Sequence, residues 1–145
     1  MRISMKVDYG VRALVDLAQN YGAGPIQTAE IAERQGVPEP YLDQLLATLR
    51  KEGLVDSRRG PHGGYTLAKS PTDLSLGTIM NALEGPTIPI DCLDGSLECN
   101  LTGHCAQQEI WRKVEGLTQA VLHSTKLADL VNTPKQRVHS AMYYI

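Results

Sequence analysis

Between residues 7 and 21, VDYGVRALVDLAQNY, apolar side chains return at Val7, Val11, Leu14 and Ala18. That spacing predicts an amphipathic helix with one face on a core. Gly22 and the pair Gly24-Pro25 end it. Thr28 is expected to cap a short helix over AEIAERQ, with Gly36 as its left-handed stop. After Val37-Pro38-Glu39-Pro40 the pattern resumes in YLDQLLATLRKE. There Leu42, Leu45, Leu46 and Leu49 share the inner side, and Asp43, Gln44, Ala47, Thr48, Arg50 and Lys51 the outer; Gly53 closes the helix. Two such helices joined by a tight glycine turn form a helix-turn-helix pattern.

Past Gly53 the period changes from helical to extended. Leu54–Ser57 and Tyr65–Ala68 read as two strands, and RRGPHGG, Arg58 to Gly64, reads as the turn between them. A helix-turn-helix followed at once by a basic hairpin predicts a winged helix. Ser75 or Thr72 is expected to cap the next helix, LGTIMNALEG, which Gly85 ends. A loop rich in Gly, Asp, Asn and Pro follows. From Ala106 to about Leu122 a long helix carries Ile110, Val114, Leu117 and Val121 in register. That stripe fits either core packing or a dimer seam. Ser124 is expected to cap a last short helix, TKLADLV. The division expected is 1–85 as a winged helix-turn-helix DNA-binding domain, 86–105 as a cysteine loop, and 106–145 as a dimerisation helix with its tail.

Composition adds limits. A chain of 145 residues is expected to form one domain that can bury a core without disulfides. With no Phe and one Trp, aliphatic side chains must fill that core. MRISMKVDYG has no apolar run after its charges, and no stretch approaches 18 consecutive apolar residues, so the expectation is a cytoplasmic protein with no membrane partner. There is no phosphate loop, nucleophile elbow or His-Glu-x-x-His, so an enzyme is not expected. The net charge of −2 conceals a local excess: residues 50–69 hold five Lys+Arg against two Asp+Glu. A basic patch of this kind is enough for nucleic acid.

A recognition helix presents side chains near its N-terminal end to base edges. Pro40, Tyr41, Asp43, Gln44, Ala47 and Thr48 hold those positions. Gln44 can bond adenine bidentately, and Asp43 can accept from a cytosine amine. Arg50, Lys51, Arg58 and Arg59 suit phosphate oxygens, and His62 sits with the arginines in the wing.

All three cysteines fall within CLDGSLECNLTGHC, Cys92 to Cys105. Three clustered thiols in a reducing compartment point to metal or redox chemistry. An iron–sulfur cluster, a zinc site completed by His104, redox-active thiols and a loop whose three free thiols do nothing all remain open on spacing alone. Trp111, beside this loop, is expected to serve core or dimer packing; His123 and His139 have no assigned partner.

MRISMKVDYGVRAL, the run IAERQGVPEPYLDQLLATLRKEGLVDSRRGPHGGYTLAK, LGTIMNALEGP, the cysteine loop and QEIWRKV together resemble the family of winged-helix transcriptional regulators typified by IscR, NsrR and CymR. The resemblance covers nearly the whole chain. It implies a mainly α fold with a small β-hairpin wing and a long C-terminal dimerisation helix. It implies a homodimeric regulator, usually a repressor, on double-stranded operator DNA, with Ile110, Val114, Leu117 and Val121 at the two-fold interface. Several members hold an iron–sulfur cluster, 4Fe–4S or 2Fe–2S, on three cysteines of this loop, which maps onto Cys92, Cys99 and Cys105. The IscR type adds a histidine three residues past the last cysteine, where this chain has Gln108. The NsrR type uses an aspartate of the first helix, reaching across from the other protomer, and Asp8 holds that position. The AMYYI terminus and LEGPTIPI are similar instead to the CymR branch, which lacks the cluster and works with a cysteine-synthase partner. The resemblance thus implies a sensor of redox, nitric oxide or iron–sulfur status. The alternative is a cluster-free regulator of cysteine metabolism controlled by that partner or by thiol oxidation.

Overall fold

The computed structural model describes residues 2–86, 88–95, 98–101 and 103–133. Helix α1 spans Met5–Gln19, α2 Thr28–Gln35 and α3 Glu39–Lys51; strands β1 Val55–Arg58 and β2 Gly64–Leu67 follow, then α4 Leu76–Glu84, a 3₁₀ turn at Asp91–Leu93, α5 Gln108–Ser124 and α6 Leu127–Asn132. The mainly α winged-helix expectation is met. Boundaries move by no more than two residues. Pro40 stands inside the first turn of α3, where its missing N–H leaves no bond unmade.

Two expected caps are corrected. Thr28 is the first residue of α2, and Gln27 precedes it with its N–H bonded to the Glu30 carboxylate at 3.2 Å. Likewise Ser124 ends α5 instead of capping α6; Lys126 holds that place, and its N–H meets Asp129 Oδ2 at 2.7 Å. In both cases an acidic residue three positions on accepts from the cap residue's own N–H, the acidic half of a capping box. Ser75 does cap α4, accepting from Thr78 N–H at 3.1 Å, and Gly36 does stop α2 with φ 64°.

The core is aliphatic, as the absence of Phe requires. Leu14 of α1, Ile31 of α2, Leu42, Leu45, Leu46 and Leu49 of α3, Ile79 of α4 and Leu127 of α6 are all within 2% of full burial. Each such side chain contributes about 2 kcal/mol by leaving water, before chain entropy is counted. Close approach of α1 and α4 depends on Gly10: a Cβ there would stand 2.5 Å from Leu83 Cδ1. Ser4 Oγ caps α1 by accepting from Val7 N–H and donates to the Glu84 carboxylate at the far end of α4. Buried beneath α1, Asp16 takes two bonds from Arg34 (2.6 and 2.9 Å) and one from Gln35 (2.9 Å), which lock α2 to α1.

The joint between α5 and α6 is zipped to the approach of α4. Leu76 N–H donates to Thr125 O at 2.9 Å, and Leu127 N–H to Leu74 O at 2.8 Å. His123, left without a partner by the sequence, lies over Gly77 with Nδ1 3.4 Å from Ser75 Oγ. Along α5 only Leu122 is buried. Ile110, Val114, Leu117 and Val121 are 54%, 40%, 71% and 64% exposed, so in the single chain this stripe is a bare apolar face and the core reading is set aside. His139 and AMYYI lie outside the described residues.

Candidate nucleic-acid interface and cysteine loop

On α3 the leucines turn inward at spacings of three and four, which forces Asp43, Gln44, Ala47, Arg50 and Lys51 outward; all five are exposed, as is Pro40. Thr48 spends its hydroxyl on the Gln44 carbonyl at 3.0 Å. Tyr41 is only partly exposed, its ring edge-on to Tyr9 with centroids 5.9 Å apart. The wing pairs Val55 with Leu67 and Arg58 with Gly64. Val55 and Leu67 are buried, which fixes the register and leaves Arg58, Arg59 and His62 in solvent. The turn itself needs glycine at 63, where a Cβ would fall 2.1 Å from the Arg58 carbonyl oxygen.

Arg50, Lys51, Arg58 and Arg59 take part in none of the ion pairs found among the described residues. Their charges face water and are open to an anionic partner. Arg50 is held in place by a neutral contact, its Nη1 donating to Ser57 Oγ at 2.9 Å. Ser57 and Gln27 were not singled out by the sequence. Neither carries a signal by residue type; both matter through contacts made across seven and 34 residues.

Asp8 lies in the first turn of α1, where an acidic group favours the helix dipole. It forms a two-pronged pair with Arg12, 2.8 Å to Nη2 and 3.2 Å to Nε. The Arg12 guanidinium stands 5.5 Å from the centre of the Tyr9 ring, which in turn meets Tyr41 at the head of α3. Asp8 is thus connected to the outward helix by three side chains in sequence.

Cys92, Cys99 and Cys105 are each partly buried, and none is in a disulfide. Cys92 sits in the 3₁₀ turn and Cys105 three residues before α5, while Gly95 and Gly103, with φ of 77° and 87°, bend the chain between them. Among the described residues no three His, Cys, Asp or Glu side chains converge on one point. The structure therefore brings the thiols into one loop without closing three donors on a centre, whether among themselves or with Asp8 or the exposed His104. As a donor set, three thiols in a glycine-bent loop suit an iron–sulfur cluster or zinc. Trp111 borders a groove of about 400 Å³ with Ile88, Pro89 and Val114, and its Nε1 donates to Gln107 Oε1 at 3.1 Å. Among the described residues no helix is long and apolar enough to cross a membrane.

Comparison with known proteins agrees with this anatomy. The model of the Rrf2 family, described as iron-dependent transcriptional regulator, matches residues 3–133. The chain is 36% identical to the HTH-type transcriptional regulator CymR of Bacillus subtilis over 145 residues, the whole of both proteins. It is 38% identical to the HTH-type transcriptional regulator IscR of Escherichia coli over 132 residues, 91% of this chain and 81% of that one. Among solved structures it resembles T. potens IscR with a TM-score of 0.77 and 42% identity, over 99% of this chain and 97% of that one. These relatives carry the names of transcriptional regulators, not of enzymes.

Proposed function

Because this chain belongs to the Rrf2 family of transcriptional regulators, we propose that it is a homodimeric repressor whose grip on operator DNA is set by an iron–sulfur cluster on Cys92, Cys99 and Cys105. The observation that carries this reading is a winged helix with unpaired cations in the same chain as a loop that holds all three thiols. On the DNA side, Gln44 and Asp43 read base edges from α3, with Pro40, Tyr41 and Thr48 shaping that end of the helix. Arg50, Arg58, Arg59 and His62 meet the backbone. The apolar stripe of α5 joins two copies, so two recognition helices address a two-fold-related site.

Three thiolates leave one position to be filled, and the Asp8 carboxylate, reaching across from the other protomer, is an oxygen donor suited to it. When bound, such a cluster supplies an iron whose labile ligand can give way to nitric oxide or oxygen. Asp8 then has two competing partners, the iron and Arg12. A shift of Asp8 toward either one moves Arg12 relative to Tyr9, and Tyr9 leans on Tyr41 at the start of α3. Two arrangements of these four side chains form the element that the cluster biases.

A second reading has its own support. The CymR of B. subtilis matches this chain end to end. On that reading the regulator is cluster-free and governs cysteine metabolism, through thiol oxidation or a cysteine-synthase partner.

Salt titration tests the DNA reading. With a double-stranded fragment selected from a random library, Arg59→Ala is expected to weaken binding and to lower the log–log salt slope by about 1. Binding equal to the parent at every salt concentration would remove the wing from the interface.

A further inference from the structure

The wing is fastened to the segment that precedes α2 by three contacts of different kinds. Ile26 and Tyr65 exchange both backbone hydrogen bonds, at 3.0 and 2.8 Å. Gly64 packs so tightly there that a Cβ would stand 2.3 Å from the Ile26 carbonyl oxygen. The third contact is made by a side chain: Gln27 Nε2 donates to the Pro61 carbonyl at 3.3 Å. The first two hold the base of the wing at β2. The Gln27 amide reaches the turn itself, between Arg59 and His62.

Gln27 is itself well anchored. Its N–H is taken by the Glu30 carboxylate, and its carbonyl accepts from Glu30 N–H at 3.1 Å. The helix it precedes is joined to α1 by the Asp16–Arg34 pair and packs on α3. From Gln27 a rigid path therefore runs to the recognition helix on one side and to the wing turn on the other. Among the described residues, the turn would without this amide be tied through its two strands alone, each four residues long.

We propose that Gln27 is a positioning residue for operator binding, holding the wing turn at a fixed distance from α3 so that both reach DNA at once. The proposal rests on the DNA-binding reading above. A turn held in place before binding loses less freedom when it docks. Gln27 is uncharged, so its loss changes affinity without itself altering the counterion count.

The test compares the full-length parent with Gln27→Met, which keeps length and loses the donor, and with Pro61→Ala, which keeps the accepting carbonyl. Each is titrated with the selected double-stranded fragment at several salt concentrations, and backbone ¹⁵N relaxation is recorded at Gly60 and Gly63. Gln27→Met is expected to bind roughly fivefold more weakly, the worth of one lost hydrogen bond, with the parent's salt slope. Its wing turn should show raised nanosecond motion, while Pro61→Ala keeps the parent's affinity. Parent-like affinity in Gln27→Met, or wing-turn motion equal to the parent's, would overturn the positioning role. Failure of the parent itself to bind any double-stranded fragment would overturn the DNA-binding reading, and is distinguishable from both.

Discussion

Replacing Leu117 and Val121 together by aspartate is expected to give a folded monomer that binds a two-half-site operator roughly a hundredfold or more weakly. These side chains are 71% and 64% exposed in the single chain and lie on the same face of α5 as Ile110 and Val114. Covering the exposed part of each contributes about 1–2 kcal/mol, and a two-fold axis counts every residue twice. Two carboxylates per chain at the seam would be buried without partners, which turns the contact unfavourable. Folding should survive, because the buried Leu122 and the Leu76–Thr125 and Leu127–Leu74 backbone bonds still dock the end of α5 on the winged helix. Sedimentation velocity together with far-ultraviolet circular dichroism checks both halves of the statement. A variant that sediments as a dimer would mean that copies meet on a different face.

Loss of the Arg34 side chain is the second large effect, and it falls on stability. Asp16 is 1% exposed and takes two of its three bonds from Arg34. In Arg34→Ala the carboxylate stays buried with Gln35 alone, at a cost of about 3 kcal/mol, the low end for a broken buried pair because Arg34 is itself half-exposed. Asp16→Ala should cost less, about 1–2 kcal/mol, because the freed guanidinium can hydrate. The pH dependence has a definite sign. Burial pushes the Asp16 carboxyl up, but the hydrogen bonds from Arg34 and Gln35 and the Arg34 charge outweigh it and hold it below its ordinary value. The stabilisation is therefore complete above the unfolded value of about 3.9 and is lost as pH falls through the lower folded value. Urea melts at neutral pH and at pH 3 should show the parent losing part of its advantage over Arg34→Ala. An unchanged gap would mean that Asp16 does not titrate with folding.

The parts of this structure that were legible in the sequence are those written as periodicity and punctuation. Four leucines on α3, the strand pair around RRGPHGG and the stop at Gly36 each follow from spacing or from one residue's backbone freedom. The caps at Gln27 and Lys126 were not legible, because Thr28 and Ser124 offered better capping chemistry and only the downstream acids Glu30 and Asp129 decide otherwise. Contacts between distant residues were equally hidden. Nothing in Asp16, Arg34 or Gln27 as residue types announces a buried pair or a wing tether; their partners are brought by the fold. For the α5 stripe the sequence left core and seam open, and burial in the single chain decides against core. The thiols are named by the sequence, yet their convergence depends on what they bind, which neither periodicity nor backbone geometry encodes.

An iron–sulfur cluster on the cysteine loop is the centre of the proposed function. Its most direct test is anaerobic purification with visible absorbance and assays of iron and acid-labile sulfide, run on the parent, Cys99→Ala and Asp8→Ala. A brown parent with iron and sulfide in cluster stoichiometry is expected, with a colourless Cys99→Ala and an Asp8→Ala protein that keeps colour with an altered spectrum or more rapid cluster loss. A parent that is colourless as purified and after reconstitution with iron and sulfide would contradict it, and would leave the cluster-free regulator as the function of this chain.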